Sequence, residues 1–237
     1  MELRGASALV TGAGRGIGRA IARRLAAAGA GVTAVSRTAP ELDSLVREIA
    51  AEGGRAVAFP GDVRDGRVCS AAVARAVEAH GRLQILVNNA GVGAQAPVAE
   101  TTDEDWARVL DTNLTAVFRL TRAALPHLTR GGGHVFMISS LAGANPIAGM
   151  AAYCASKAAL DHFAGCLMLE VRQQGVKVTT IAPGSVATGF GAERGEAAAW
   201  KLQPADIADA VHDLLRTRDA AHLSRVEMRP LRPPPRA

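Results

Sequence analysis

Tyrosine and lysine are nearly missing from this chain of 237 residues: Tyr153 is its one tyrosine, and three lysines stand against twenty-four arginines. Also missing is any apolar run near the ~18 residues of a membrane span. The opening MELRGASALVTGAG lacks the cationic, long-apolar, small-residue layout of an export signal. Cys69, Cys154 and Cys166 form no C-x-x-C pair and no zinc spacing, so reduced, mostly buried thiols are expected. His80, His127 and His212 have no paired ligands, and no metal site is expected. The net charge of +5 comes almost wholly from arginines scattered among acidic residues, a pattern that argues against a nucleic-acid partner. These absences lead to the expectation of a soluble, cytoplasmic protein with no membrane partner.

What is present reads as one large α/β domain over residues 1–237. Apolar residues make up 49 % and charged residues 21 %, an ordinary globular balance. Short, near-continuous apolar runs alternate with amphipathic segments. The runs are ASALVT, GVTAVS, RAVAF, LQILVN, GHVFMIS, VKVTTIA and HLSRVEM, the pattern of strands covered on both faces. Helical patterns lie between them, several ending at a glycine suited to a left-handed cap: Gly29, Gly53, Gly81 and Gly175. One continuous helical pattern covers residues 103–128. The alternation predicts a single Rossmann-type, doubly wound parallel sheet of about seven strands with helices on both faces. Residues 184–202 read as a mobile loop carrying Gly189, Gly191 and Gly195, and residues 229–237 as an extended Pro/Arg-rich tail.

The first strand runs into TGAGRGIG and straight into a helix. Here Gly12, Gly14, Gly16 and Gly18, with Arg15 and Ile17, would let the backbone approach a pyrophosphate seated on the helix N-terminus. The spacing is G-x-x-x-G-x-G, which is neither the G-x-G-x-x-G fingerprint nor a P-loop. The second strand ends Val35-Ser36-Arg37, with no carboxylate to bind an adenosine ribose. A guanidinium there takes a 2′-phosphate that a carboxylate would repel. Arg15 adds a second cation, so Ser36, Arg37 and Arg15 favour NADP(H) over NAD(H).

Tyr153 and Lys157 lie one helical turn apart, on one face. A phenol titrates near ~10, and a nearby ammonium favours its anion, which is expected to bring it toward the working pH. TGAGRGIG, Asn88-Asn89-Ala90-Gly91, Asn113, Ser140, Tyr153, Lys157 and Pro183-Gly184, in that order, together resemble the short-chain dehydrogenase/reductases over about residues 5–230.

The resemblance implies that Tyr153 is the general acid and base, that Lys157 lowers its pKa and binds the nicotinamide ribose, and that Ser140 orients the substrate oxygen. Asn113 would bend its helix and hold a water leading to Lys157. Asp62 and Val63 are similar to the family's adenine-contacting pair, and Asn89, Ala90 and Gly91 to its cofactor-lining segment. Val186 and Thr188, after Pro183 and Gly184, are similar to the residues that hold the carboxamide. Ser139 is the structural alternative to Ser140. Developing negative charge on a reduced carbonyl oxygen is stabilised by preplaced hydroxyl donors.

The implied activity is hydride transfer between nicotinamide and a carbonyl or secondary alcohol. A 3-oxoacyl-acyl-carrier-protein reductase and a non-catalytic NADP(H)-binding redox sensor are the alternatives. The ending Val-Glu-Met-Arg-Pro looks more like the NADP-dependent serine and allo-threonine dehydrogenases. Leu141, Asn145, Ile147 and Met150 are expected to line a small apolar pocket, with Phe190 and Lys201 the larger side chains of the loop. Trp106 reads as a core anchor, Trp200 as a loop side chain for which closing over substrate is the alternative to a structural role, and His162 with Cys166 as helix packing. A homodimer or homotetramer is expected, with residues 104–128 and 150–174 able to form a four-helix contact.

Overall fold

The computed structural model describes residues 1–189 and 199–233. Phe190, Gly191 and Gly195 of the expected loop, and the last four residues of the tail, lie outside the described residues. The strands are β1 Ser7–Thr11, β2 Gly31–Ser36, β3 Arg55–Pro60, β4 Ile85–Asn88, β5 Gly133–Ile138, β6 Val176–Pro183 and β7 Arg225–Met228. The helices are α1 Gly16–Ala27, α2 Ala39–Ala51, α3 Gly66–His80, α4 Asp103–Leu110, α5 Ala116–Leu128, α6 Ala151–Val171 and α7 Pro204–Leu215. All strand pairs are parallel, in the order β3-β2-β1-β4-β5-β6-β7. The chain winds outward from β1 to β3, returns to β4 beside β1, and winds out the other way. That reversal opens a crevice at the carboxyl ends of β1 and β4, where doubly wound sheets place ligands.

Every residue of β1 is buried, yet its side chains still alternate between two cores. Ala8 and Val10 pack with α1, α2 and α7 through Ile21, Leu25, Leu42, Leu45 and Val211. Leu9 faces the other layer, with Val73 of α3, Leu120 of α5 and Leu160 of α6. The expected glycines leave their helices with positive φ: 96° at Gly29, 79° at Gly53, 76° at Gly81 and 72° at Gly175.

Several expectations are corrected. The helical pattern over 103–128 is broken by a π-helical turn, Asp111–Thr115, which contains Asn113. The last strand begins at Arg225, because His222 and Leu223 are engaged by β6 at Val178 and Thr179. Trp106 is 42 % exposed rather than a core anchor. Only Cys69 is buried: Cys154 is half-buried, while Cys166 and His162 are exposed, so that pair packs nothing. No helix among the described residues is long and apolar enough to cross a membrane.

Candidate active site

The glycine turn after β1 is shaped by close approach. A Cβ on Gly18 would collide with the Gly12 carbonyl and lie 2.5 Å from Asn89 Nδ2; one on Gly12 would lie 2.8 Å from the same amide nitrogen. Asn89 therefore serves the turn itself, donating to Thr11 O at 2.8 Å. Thr11 Oγ1 accepts the backbone N–H groups of Asn89 and Ala90, each at 3.0 Å, and so ties the end of β1 to the segment after β4. Arg19 staples the turn to α2, donating to Gly14 O and Glu41 O, both at 3.1 Å, and reaching Glu48 Oε1 at 2.6 Å. Sequence reasoning missed Thr11 and Arg19, whose signal is contact rather than spacing.

Three features fit an anionic dinucleotide. The first turn of α1 has no acidic residue, and its N-cap, Arg15, makes no side-chain cap, so the helix end presents bare N–H groups. Ser36 Oγ, 3.0 Å from where a Gly14 Cβ would sit, is buried without a hydrogen-bond partner among the described residues. Arg15 and Arg37 are both exposed at this end. The Glu41 carboxylate also crowds Gly14, an acidic neighbour the sequence reading did not weigh.

Asp62 and Val63 follow β3. The Asp62 carboxylate is clasped by Arg64, whose Nη2 lies 2.7 Å from Oδ2 and whose Nε lies 3.0 Å from it. That clasp, with a smaller effect of Arg37, holds its carboxyl below the usual range. The Val63 side chain is buried in the core beside α3, and its carbonyl accepts Cys69 Sγ at 3.0 Å.

The reactive groups gather at the end of β5. Ser140 starts a short turn, its Oγ accepting Ala142 N–H at 3.1 Å, and it hydrogen-bonds Tyr153. Lys157, 4 % exposed, donates from Nζ to Ile138 O at 2.8 Å, and that nitrogen lies 5.7 Å from the centre of the Tyr153 ring. Gly91 and Asn113 converge on it: a Cβ at Gly91 would lie 3.7 Å from Lys157 Nζ and 3.4 Å from Asn113 Oδ1. Asn113 Oδ1 accepts Val92 N–H at 2.8 Å, while Nδ2 donates to Val92 O at 2.9 Å and to Ser156 Oγ at 3.0 Å. Ser156 in turn donates to Tyr153 O at 2.7 Å. Ser139 Oγ is buried without a partner among the described residues.

Titration differs from the sequence expectation. Burial raises the Tyr153 phenol above its ordinary 10, and the Ser140 hydrogen bond opposes that shift without overcoming it. Burial also pushes Lys157 down from 10.5 to about 8, while Asp161 works upward. Taking both groups out of water disfavours phenolate and ammonium alike.

The segment after β6 returns to the glycine turn. Gly184 N–H donates to Met228 O at 2.7 Å. Val186 bridges Leu202, and Ala187 N–H donates to Leu202 O at 2.8 Å, so the two ends of the expected loop are stitched together at its base. Thr188 Cγ2 lies 3.4 Å from where a Cβ on Gly16 would be. Lys201 lies 5.7 Å from the centre of the half-buried Trp200 ring. Of the expected pocket residues, Leu141 and Met150 are half-buried and Ile147 is 48 % exposed. Asn145 instead caps its own turn, donating to Leu141 O at 2.8 Å. Among the described residues no three His, Cys, Asp or Glu side chains group to hold a metal.

Phosphate-type turn and hydroxyl pair thus share the carboxyl edge of a doubly wound sheet, which defines the class of nucleotide-binding α/β enzymes. The family model for the short chain dehydrogenases matches residues 6–199, and the chain belongs to that family of oxidoreductases. The 2,3-dihydro-2,3-dihydroxybenzoate dehydrogenase of Bacillus subtilis is 35 % identical over 94 % of this chain and 93 % of its own length. The crystal structure of a metagenomic short-chain oxidoreductase in complex with NADP has a TM-score of 0.87 at 39 % identity, covering 98 % of this chain and 100 % of the other. A 7α-hydroxysteroid dehydrogenase complexed with NADH and 7-oxo glycochenodeoxycholic acid has a TM-score of 0.86 at 30 % identity, covering 96 % of this chain and 94 % of that one.

Proposed function

We propose that this chain is an NADP(H)-dependent carbonyl reductase, reversible as an alcohol dehydrogenase, acting on a small ketone, aldehyde or 3-hydroxy acid. The observation that carries the reading is the convergence of Ser140, Tyr153 and Lys157 at the end of β5, with Lys157 Nζ 5.7 Å from the phenol ring centre. A bound nicotinamide dinucleotide supplies the hydride. Ser140 Oγ and the Tyr153 hydroxyl donate to the substrate oxygen, where charge develops. Tyr153 then transfers its proton to that oxygen, and Lys157 replaces the proton.

Burial keeps the ligand-free phenol protonated, the form that donates in the reducing direction. Lys157, titrating at about 8, is suited to pass a proton near neutrality. The Asn113 side chain is engaged by Val92 and Ser156, so a water feeding Lys157 would be held by its main chain. Arg15, Arg37 and the unpartnered Ser36 Oγ support NADP(H) over NAD(H), as does NADP in a relative 39 % identical. Exposed Trp106, Phe118 and Leu169 on α4, α5 and α6 support self-association through those helices, as a homodimer or homotetramer.

The test is NADPH oxidation with a panel of small carbonyls, comparing Tyr153→Phe. Turnover falling by about 10²-fold or more supports the assignment, and equal turnover in the variant ends it. Binding of NADPH with no carbonyl reduced by the natural chain would point instead to a nucleotide sensor.

A further inference from the structure

We propose that Asp161 is a positioning residue for Lys157, and that Arg225, reaching across from β7, sets how strongly it acts. Asp161 follows Lys157 by one turn of α6, on the same face. Its side chain is 13 % exposed, and Arg225 Nη1 lies 2.6 Å from Oδ2. The other oxygen, Oδ1, is buried without a hydrogen-bond partner among the described residues. The carboxylate packs beneath the turn that Ser140 begins: a Cβ on Gly143 would lie 2.7 Å from Asp161 Oδ2 and 3.1 Å from the Lys157 carbonyl. Catalytic helix, Ser140 turn and edge strand therefore meet at one carboxyl group.

A buried carboxylate with one oxygen unpaired is a poor stabilising device, because its desolvation is only partly offset. Its position explains its presence better. Lys157 is faced by Tyr153 from its own helix, by the Ile138 carbonyl from β5 and by the uncharged Asn113 and Gly91. Asp161 is the charged group that favours its ammonium form. Asp161 itself is faced by Arg225, which is shared with Glu227 at 3.3 Å, and Glu227 is held by Arg229 at 2.9 Å. Arg225, paired with Asp161, is placed to offset part of its field, so removing each charge is expected to move Lys157 in opposite directions.

Three lysines, Lys157, Lys177 and Lys201, make this directly readable. Ligand-free protein labelled with ¹³C-lysine is titrated by NMR, with Lys157 assigned from the signal lost in Lys157→Met. Asp161→Asn is expected to lower the Lys157 midpoint by about half a unit or more, and Arg225→Gln to raise it by a similar amount, with Arg225→Lys close to the natural chain. Midpoints that stay put, or move the same way in Asp161→Asn and Arg225→Gln, overturn the proposal. If Asp161→Asn does not fold, the two Arg225 variants, on a strand edge, still decide it. The significance of Lys157 rests on the proposed function, but the titration needs no substrate. Absent carbonyl reduction with the shifts intact sinks that function alone, and active enzyme with unmoved midpoints sinks this inference alone.

Discussion

Asn113 grips Val92 at both ends, accepting its N–H at 2.8 Å and donating to its carbonyl at 2.9 Å. A single side chain, placed by a π turn, thus fixes the path of the chain after β4. Asn113→Ala leaves two backbone groups and Ser156 short of a partner. A loss of about 2 kcal/mol in urea unfolding is expected, since each buried unsatisfied group costs about 1–3 kcal/mol, with carbonyl reduction at least tenfold slower because the segment beside Lys157 moves.

Gly18→Ala drives a Cβ into the Gly12 carbonyl and the Asn89 amide. The turn must open, at a cost of about 1–3 kcal/mol. Calorimetry is expected to show NADPH affinity reduced by tenfold or more.

Arg15 and Arg37 are exposed, and the proposed function assigns them to the 2′-phosphate. The double variant Arg15→Ala with Arg37→Ala is expected to weaken NADPH binding by about 10- to 100-fold, as loss of a charged hydrogen bond worth about 1.5–3 kcal/mol implies. NADH binding should change by less than about threefold. Equal losses for both coenzymes would remove the 2′-phosphate assignment.

His134 gives a pH prediction far from the reaction. Thr179 Oγ1 donates to Leu223 O at 2.7 Å, so it accepts from His134 Nε2 at 2.8 Å, which fixes a neutral tautomer with its proton on Nε2. Burial pushes the ring down from 6.5 to about 3. The unfolded chain therefore takes up a proton that the fold refuses, and stability present above pH 6.5 is lost as pH falls toward 3. Between pH 7 and 5 the natural chain should lose about 2 kcal/mol more than His134→Gln in urea melts at the two pH values.

The sheet and the glycine turn were legible because their signals are local: apolar runs of strand length, glycines at helix ends, and a turn placed between strand and helix. Tyr153 and Lys157 stood out in the sequence by their rarity and spacing, and Ser140 through the resemblance to the family. What escaped depends on residues distant in sequence. Arg19 reaches Glu48 across 29 positions, Thr188 packs against Gly16, and Arg225 reaches Asp161 across 64 positions; none of these leaves a periodic trace. Trp106 and Cys166 were misjudged because residue type suggests burial, whereas helix phase puts them on an outer face. The direction of the Tyr153 shift was missed because an ammonium one turn away is visible in sequence and the depth of burial is not.

The strand that carries Arg225 is also an open margin of the sheet, hydrogen-bonded on one side only among the described residues. It is four residues long, and its exposed positions are Arg225 and Glu227. Short length and alternating charge are what keep such a margin from recruiting a strand of another molecule. The guanidinium that tempers Asp161 thereby doubles as a guard against aggregation, and a neutralised edge would betray itself first in concentrated solution.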